Sequence, residues 1–161
     1  MPDLQPPELH WLSVQNWSNF AGTPLEDWAM MQPHSLGRAG FDPDELGSAA
    51  LTAFFNITAA WHLGAEEERV LLGSPPRSTF FKWKSDRAAR LSADTLERIS
   101  YVMGIYKALH ILLPTQEMAD AWVKKPNSAL GFGGKSALER MLAGRVIDLA
   151  DVRRYLDAQR G

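Results

Sequence analysis

The glycine-rich segment Gly133-Gly134-Lys135-Ser136 comes nearest to a nucleotide-binding motif in this sequence. A phosphate-binding loop needs the pattern G-x-x-x-x-G-K-[ST], in which backbone N–H groups and the lysine hold the phosphates. Counting back from Gly134, the first glycine of that pattern falls at Ala129. The preceding strand is also missing, because residues 121–126 have the pattern of a helix end and a turn. We therefore interpret the glycines as a tight bend and expect no nucleotide hydrolysis.

The other residue types that could catalyse a reaction or bind a metal are scattered. Cysteine is absent, which excludes disulfides, thiolate zinc sites and cysteine catalysis. The four histidines show no pairing with each other or with carboxylates at ligand spacing. The acidic run Glu66-Glu67-Glu68 stands at a predicted helix start, where it suits the helix dipole, and we interpret it as a solvated face. With no nucleophile beside a base, we expect a protein that is not an enzyme and holds no metal or cofactor.

A basic segment at residues 77–90 is the clearest candidate for binding phosphates, with five basic residues and one acidic residue. Helical spacing turns Phe80 and Trp83 inward and leaves polar and basic side chains on the opposite side. Phosphate contacts supply most of the affinity for DNA, and a few side chains read bases. Spacing alone fits a solvated helix of a bundle equally well. The predicted DNA-binding residues are Arg77 (to a guanine edge), Ser78, Phe81, and Lys82, Lys84 and Arg87 (to phosphates).

The elements that position this segment have the pattern of a helix-turn-helix. Asp42-Pro43-Asp44-Glu45 combines an aspartate cap with proline at the first helical position, and it predicts the start of a long helix. A short acidic helix at residues 65–72 follows. Ser74-Pro75 is predicted to cap a helix over residues 76–84. Two short helices separated by a glycine-containing turn are typical of DNA-binding helix-turn-helix proteins.

Four more helix starts lie in the second half of the chain. Ser92 is predicted to cap the longest helix, which runs to about Leu113 and has an apolar face that we expect to contact a second subunit. Thr115 is predicted to cap a short helix through Trp122, which we also expect to contact the second subunit. Ser136-Ala137-Leu138-Glu139 is a Ser-x-x-Glu capping box. Asp148 is predicted to cap the last helix.

The last predicted helix carries an apolar stripe of Val152, Tyr155 and Leu156, with arginines outside it. It runs to the final residues of the sequence. We therefore expect its end to be presented to a partner.

The C-terminal pattern resembles that of a known family. The tail reads WVKKPNSALGFGGKSALERMLAG and then VRRYLDAQRG. This resembles the toxin-binding domain of the Xre/MbcA/ParS antitoxins, which are bacterial partners of RES-domain toxins that consume NAD or transfer its ADP-ribose. The basic segment is similar to the Xre-type helix-turn-helix of these proteins. The resemblance covers residues 46–161 and departs from the family in a longer glycine bend and in Ala137, where proline is frequent.

The resemblance implies an antitoxin that neutralises a RES-domain toxin and, as a homodimer on operator DNA, represses its own operon. Arg160 and the terminal carboxylate of Gly161 would enter the toxin's NAD pocket, because the arginine fork pairs bidentately with carboxylates. Arg153, Arg154 and Tyr155 would lie at the rim, where these residue types dominate interface energies. Two alternatives stay open: a helix-turn-helix transcription regulator without a toxin partner, and an interaction module that no longer binds DNA.

We expect an all-α protein in three regions. Residues 1–41 form a Pro/Trp-rich N-terminal extension with a short helix near Thr23. Its aromatics either cover the chain's own core, which composition favours, or pack on a second subunit or on the toxin. Residues 42–113 form an Xre-like helix-turn-helix domain and residues 114–161 a small helical C-terminal toxin-binding domain. With 17 basic and 19 acidic residues, DNA contact needs a local basic patch. No apolar run approaches the ~20 residues of a membrane span, and no secretory signal is present, so we expect a soluble cytoplasmic protein.

Overall fold

The computed structural model describes residues 42–161, and every regular element in this range is a helix. This confirms the all-helical prediction for the described part of the chain. None of these helices is long and apolar enough to cross a membrane. The N-terminal extension, with its predicted helix near Thr23 and its predicted aromatic packing, lies outside the described residues. The helices are α1 (Pro43–Ala60), α2 (Ala65–Leu71), α3 (Arg77–Asp86), α4 (Ala93–Leu112), α5 (Gln116–Trp122), α6 (Ala137–Met141) and α7 (Val146–Arg160).

Four predicted helix starts are confirmed by side chains that accept hydrogen bonds from the first turn. Such caps satisfy backbone N–H groups that have no partner within the helix. In the predicted capping box, Glu139 also accepts from the N–H of Ser136 at 2.7 Å, and this bond lowers the pKa of the Glu139 carboxyl. The capping side chains and their N–H donors are Asp42 and Asp44 (3.0 Å), Ser92 and Thr95 (3.2 Å), Thr115 and Met118 (3.2 Å), and Ser136 and Glu139 (3.1 Å).

Two predicted helix starts are wrong. α3 begins at Arg77 without a side-chain cap, and Ser74 lies in the preceding turn with a φ of 57°. The two prolines that follow Ser74 disfavour helical backbone before them, so the helix starts later than expected. α7 begins at Val146, two residues before the predicted cap Asp148. Asp148 still stabilises this end, because an acidic side chain in the first turn is favoured by the helix dipole.

α4 is the central helix of the described chain, and α1, α5 and α7 pack around it. Ile99, on the predicted apolar face, is buried, but so are Val102 and Ile105 on other faces. Trp61, which directly follows α1, lies against Tyr106 of α4, with 6.2 Å between the ring centroids. The face predicted to contact a second subunit is thus covered by helices of the same chain. That prediction is wrong for α4.

One hydrophobic core runs through the described residues, from Ala50 in α1 to Leu156 in α7. It includes Phe80 of α3 and Leu138 of α6, so both predicted regions contribute to it. The predicted boundary at residue 113 falls just after α4, which packs against helices on either side of that boundary. The helix-turn-helix and the C-terminal helices are therefore held together by a shared core.

Candidate functional site

The outward face of α3 carries four of the six predicted DNA-binding residues. Phe80 is 1% exposed and fixes the opposite face of the helix against the core. Phe81 is 49% exposed, and its ring meets Phe80 edge-on at a centroid distance of 5.1 Å. Gly73, in the turn before α3, has a φ of 90°, which glycine adopts without strain. The exposed residues of this face are Arg77, Ser78, Phe81 and Lys82.

Arg77 is held at this surface by α2. Its Nη2 atom lies 2.9 Å from Oε1 of Glu66, and the two side chains are 69% and 55% exposed. Exposed ion pairs contribute about 0–1 kcal/mol, because water competes for both charges. A phosphate or a base edge could therefore replace Glu66 at little cost.

Lys84 has turned away from this face and pairs with a buried carboxylate. Its Nζ lies 2.5 Å from Oε2 of Glu68, which is 3% exposed. The other carboxylate oxygen of Glu68 accepts a hydrogen bond from the Thr58 hydroxyl at 2.8 Å. The interpretation of Glu68 as solvated is therefore wrong. This polar cluster joins α1, α2 and α3, so Lys84 fixes the orientation of α3.

Arg87 ends α3 and also packs inward. It has a left-handed backbone, with a φ of 54°. Its guanidinium carbon lies 4.3 Å from the centroid of the Phe55 ring, and its Nε donates to the carbonyl oxygen of Lys84 at 3.0 Å. Burial lowers the pKa of Arg87 below its ordinary value. A phosphate contact by Lys84 or Arg87 would require the side chain to leave these partners.

The exposed arginines of α7 form ion pairs within the helix. Nη1 of Arg160 lies 3.7 Å from Oδ1 of Asp157, and Nη1 of Arg154 donates to Oδ1 of Asp151 at 2.9 Å. The two arginine side chains are 37% and 72% exposed. Gly161 follows Arg160 and is exposed, with a φ of 87°. The end of α7 thus presents Arg160 to solvent, where its ion pair with Asp157 is long.

The arginine pattern predicts that Arg153 is exposed to solvent. In the structure it packs between α7 and α4 instead. Its guanidinium lies over Gly104 of α4, where a Cβ would be 1.6 Å from Nη1 of Arg153. Its Nε donates to Oδ2 of Asp157 at 2.7 Å, and the side chain is 24% exposed. Glycine at position 104 leaves room for the guanidinium between the helices. Arg153 is a packing contact that orients α7 against α4.

Asp148 connects the start of α7 to α6. It is 2% exposed, and Arg145 donates two hydrogen bonds to its carboxylate at 2.9 and 3.0 Å. These bonds hold the pKa of Asp148 below its ordinary value. Nη2 of Arg140 lies 3.9 Å from the same carboxylate and 2.7 Å from Oδ2 of Asp151. The base of α7 is therefore fixed by charged groups as well as by the core.

Three aromatic rings hold the glycine-rich loop, residues 127–135, against α7. Tyr155 lies 4.9 Å from Phe132 and stacks on Trp122 at 6.3 Å, measured between ring centroids. Tyr155 is therefore half-buried between the loop and α5, and not simply an exposed contact residue. A pocket of about 320 Å³ opens beside these rings. Its wall includes Leu130, Phe132, Arg140, Asp151, Arg154 and Tyr155.

Leu130 is absent from the residues predicted to bind a partner, yet it is the most exposed large apolar side chain in the described part. Its relative exposure is 101%. The next residue, Gly131, has a φ of 98° and turns the chain there. The loop carries two large apolar residues, Leu130 and Phe132, and the sequence does not show which of them is exposed.

Two family models match the chain. The antitoxin Xre-like helix-turn-helix domain matches residues 41–104, and the antitoxin Xre/MbcA/ParS C-terminal toxin-binding domain matches residues 108–161. The uncharacterized protein y4oB of Sinorhizobium fredii (strain NBRC 101917 / NGR234) is 54% identical over 113 residues, which are 70% of this chain and 85% of that protein. No solved structure matches the chain.

The matches agree with the arrangement of the candidate surfaces. The first match contains α3 with its exposed face, and the second contains α5, α6, α7 and the pocket. A helix-turn-helix domain implies DNA binding, and a toxin-binding domain implies a toxin as protein partner. Together they identify an antitoxin of the type II kind. The chain belongs to the Xre/MbcA/ParS family of antitoxins.

Proposed function

We propose that this antitoxin neutralises a RES-domain toxin, which consumes NAD or transfers its ADP-ribose, by placing the last turn of α7 in the toxin's active site. The observation that carries this proposal is the position of Arg160. It lies in the final turn of a helix whose earlier residues Val152 and Leu156 are 0% and 2% exposed. A helix fixed in this way enters a cleft without the entropic cost of ordering a flexible segment.

Arg160 has chemistry suited to a NAD site. Sites for dinucleotides commonly hold ribose hydroxyls with a carboxylate. A guanidinium pairs bidentately with a carboxylate and keeps its charge at all relevant pH values. On entering the site, Arg160 would exchange Asp157, at 3.7 Å, for a carboxylate of the toxin. Arg154, which is 72% exposed, would contact the rim, while Arg153 and Tyr155 would hold α7 in the required direction.

We also propose that the exposed face of α3 binds operator DNA and represses the antitoxin's own operon. A homodimer would place two copies of α3 on half-sites about one helical turn apart. In this arrangement Arg77 would donate to a guanine edge, Phe81 would contact a thymine methyl group and Lys82 a phosphate. Lys84 and Arg87 would act indirectly, because their contacts fix α3 to α1 and α2.

The toxin proposal is tested with the product of the gene next to the one that encodes this chain, which we expect to be a RES-domain protein. Expression of that protein alone in a bacterial host should stop growth and lower cellular NAD, and coexpression with this chain should restore both. Arg160→Ala should lose protection. Arg160→Lys should protect partly, because it keeps the charge without the bidentate fork. Lys125→Ala, a change of an exposed cation outside α7, is the matched control and should protect fully.

Two results would contradict this proposal. Full protection by Arg160→Ala would show that the toxin is not inhibited through Arg160. If the wild-type chain fails to protect but binds the promoter of its own operon, a transcription regulator without this toxin partner becomes the better account.

A further inference from the structure

We infer that the toxin contacts this antitoxin at a second site, formed by Leu130 and the adjoining pocket, and inserts there an apolar side chain flanked by an acidic residue. The inference rests on the proposed function, because its occupant is the toxin. It assigns affinity to a part of the surface that is distinct from Arg160, at the end of α7.

Leu130 is held in solvent by a loop that is itself fixed. Backbone hydrogen bonds of 3.1 Å join Asn127 to Lys135 and to Gly134, so the ends of the loop are tied together. Nη1 of Arg140 donates at 2.6 Å to the carbonyl oxygen of the residue that follows Leu130. An apolar side chain displayed by an ordered loop loses little backbone freedom on binding. Less of the affinity gained by burying Leu130 is therefore lost to ordering the loop.

The pocket combines an apolar wall with a net positive rim. Phe132 and Tyr155 supply aromatic surface. Arg140 and Arg154 both pair with the carboxylate of Asp151, at 2.7 and 2.9 Å, so two guanidinium groups share one acidic partner at the pocket wall. An apolar side chain matches the interior, and a neighbouring acidic residue complements the rim.

The shape of this site favours a protein partner. A ligand that only filled the pocket would leave Leu130 projecting into water, whereas a protein surface can fill the cavity and cover the leucine together. The site lies within residues 108–161, the segment matched by the toxin-binding domain. It is also continuous with α7, because Arg154 and Ala158 line the pocket and both lie within about two helical turns of Arg160. A toxin seated on the end of α7 would reach this surface.

The test measures binding of the full chain to the purified RES-domain toxin that the proposed function requires, by titration calorimetry without NAD. Leu130→Ala should raise the Kd about tenfold or more, because most of a buried leucine contact is lost. Arg154→Glu should also weaken binding, since it reverses the charge that faces the acidic residue. Met118→Ala is the matched control: Met118 is 43% exposed on α5, does not line the pocket, and its change should leave Kd unchanged.

Each outcome decides the inference. Because Leu130 is fully exposed, its substitution should leave the melting temperature unchanged, so weaker binding would report a lost contact. Wild-type affinity for Leu130→Ala would overturn the inference while leaving the proposed function intact. Equal weakening by Met118→Ala would also overturn it, because the effect would then not belong to this site. Absence of binding by the wild-type chain would overturn both proposals.

Discussion

Replacing Lys84 with methionine should destabilise the protein, whereas replacing Lys82 on the same helix should not. Lys84 is the partner of the carboxylate of Glu68, which is 3% exposed and otherwise bound to Thr58. Methionine keeps an apolar stem of similar length, so the substitution mainly removes the charge. Lys82 is exposed on the outward face of α3, and surface substitutions of this kind usually change stability by less than about 0.5 kcal/mol.

The magnitude follows from the burial of the two charges. Removing one partner of a fully buried ion pair costs about 3–5 kcal/mol. The side chain of Lys84 is 39% exposed, so water can reach Glu68 after the substitution, and we reduce the expected loss to about 2–3 kcal/mol. For a chain of this length, each kcal/mol lowers Tm by about 2–4 °C, which predicts a fall of about 4–12 °C.

The assay combines urea unfolding with DNA binding. In a double-mutant cycle, Lys84→Met and Glu68→Gln together should lower the free energy of unfolding by less than the sum of the two single changes. The reason is that glutamine leaves no buried, unpaired charge when Lys84 is replaced. On a promoter fragment, Lys82→Ala should reduce the salt dependence of binding by about one phosphate contact, or about 0.9 in log–log slope. Lys84→Met, measured well below its Tm, should retain the wild-type slope. Wild-type stability for Lys84→Met, or additive effects in the cycle, would refute this reasoning.

Three further predictions concern the scaffold. Gly47→Ala should lower the free energy of unfolding in urea by about 1–2 kcal/mol, because the alanine Cβ would lie 1.8 Å from the carbonyl oxygen of Ala89. This loss is expected although alanine has the better helix propensity, and unchanged stability would contradict it. Ser136→Ala should cost about 1 kcal/mol by the same measurement, through loss of the α6 cap, and Ser136→Thr should retain most of it. Asp148 has a depressed pKa, so its contribution to stability is present above its ordinary value of 3.8 and is lost as pH falls through the lower folded value. Unfolding at several pH values should therefore show a weaker acid dependence for Asp148→Asn than for the wild type, and identical profiles would exclude this role.

Helix starts were predictable where the capping chemistry is local. The Ser136 and Glu139 pair lies within four residues, and its hydrogen bonds depend on backbone geometry that the sequence itself imposes. Asp148 shows the limit of this reasoning. From the sequence, Asp148 could be the cap of α7 or a residue of its first turn. In the structure it lies in the first turn and accepts two hydrogen bonds from Arg145.

Side-chain positions set by distant contacts were not predictable. Glu68 looks solvated within an acidic run, but its partners lie 10 and 16 residues away in α1 and α3. Arg153 looks exposed by helical spacing, but Gly104, 49 positions earlier, leaves space for its guanidinium. Neither pairing leaves a periodic signal in the sequence, because each depends on how helices cross.

In the candidate surfaces, too, features set by local sequence were predictable and features set by distant contacts were not. Helical periodicity correctly predicted that Arg77 and Lys82 would share an exposed face of α3, because the buried Phe80 fixes the rotation of that helix. Composition also counted Lys84 as part of the basic patch, and it could not show that this lysine pairs with the buried carboxylate of Glu68. Leu130 escaped prediction because its exposure depends on the loop around it.

The central claim is that Arg160 occupies the NAD site of the toxin. The most direct measurement is inhibition of NAD consumption by the purified toxin, titrated with wild-type antitoxin and with Arg160→Ala at several NAD concentrations. The account predicts that NAD competes with the wild-type antitoxin and that Arg160→Ala inhibits about thirtyfold less well or worse, because truncating a central interface arginine costs about 2 kcal/mol or more. Inhibition that is independent of NAD and equally strong with Arg160→Ala would contradict the claim.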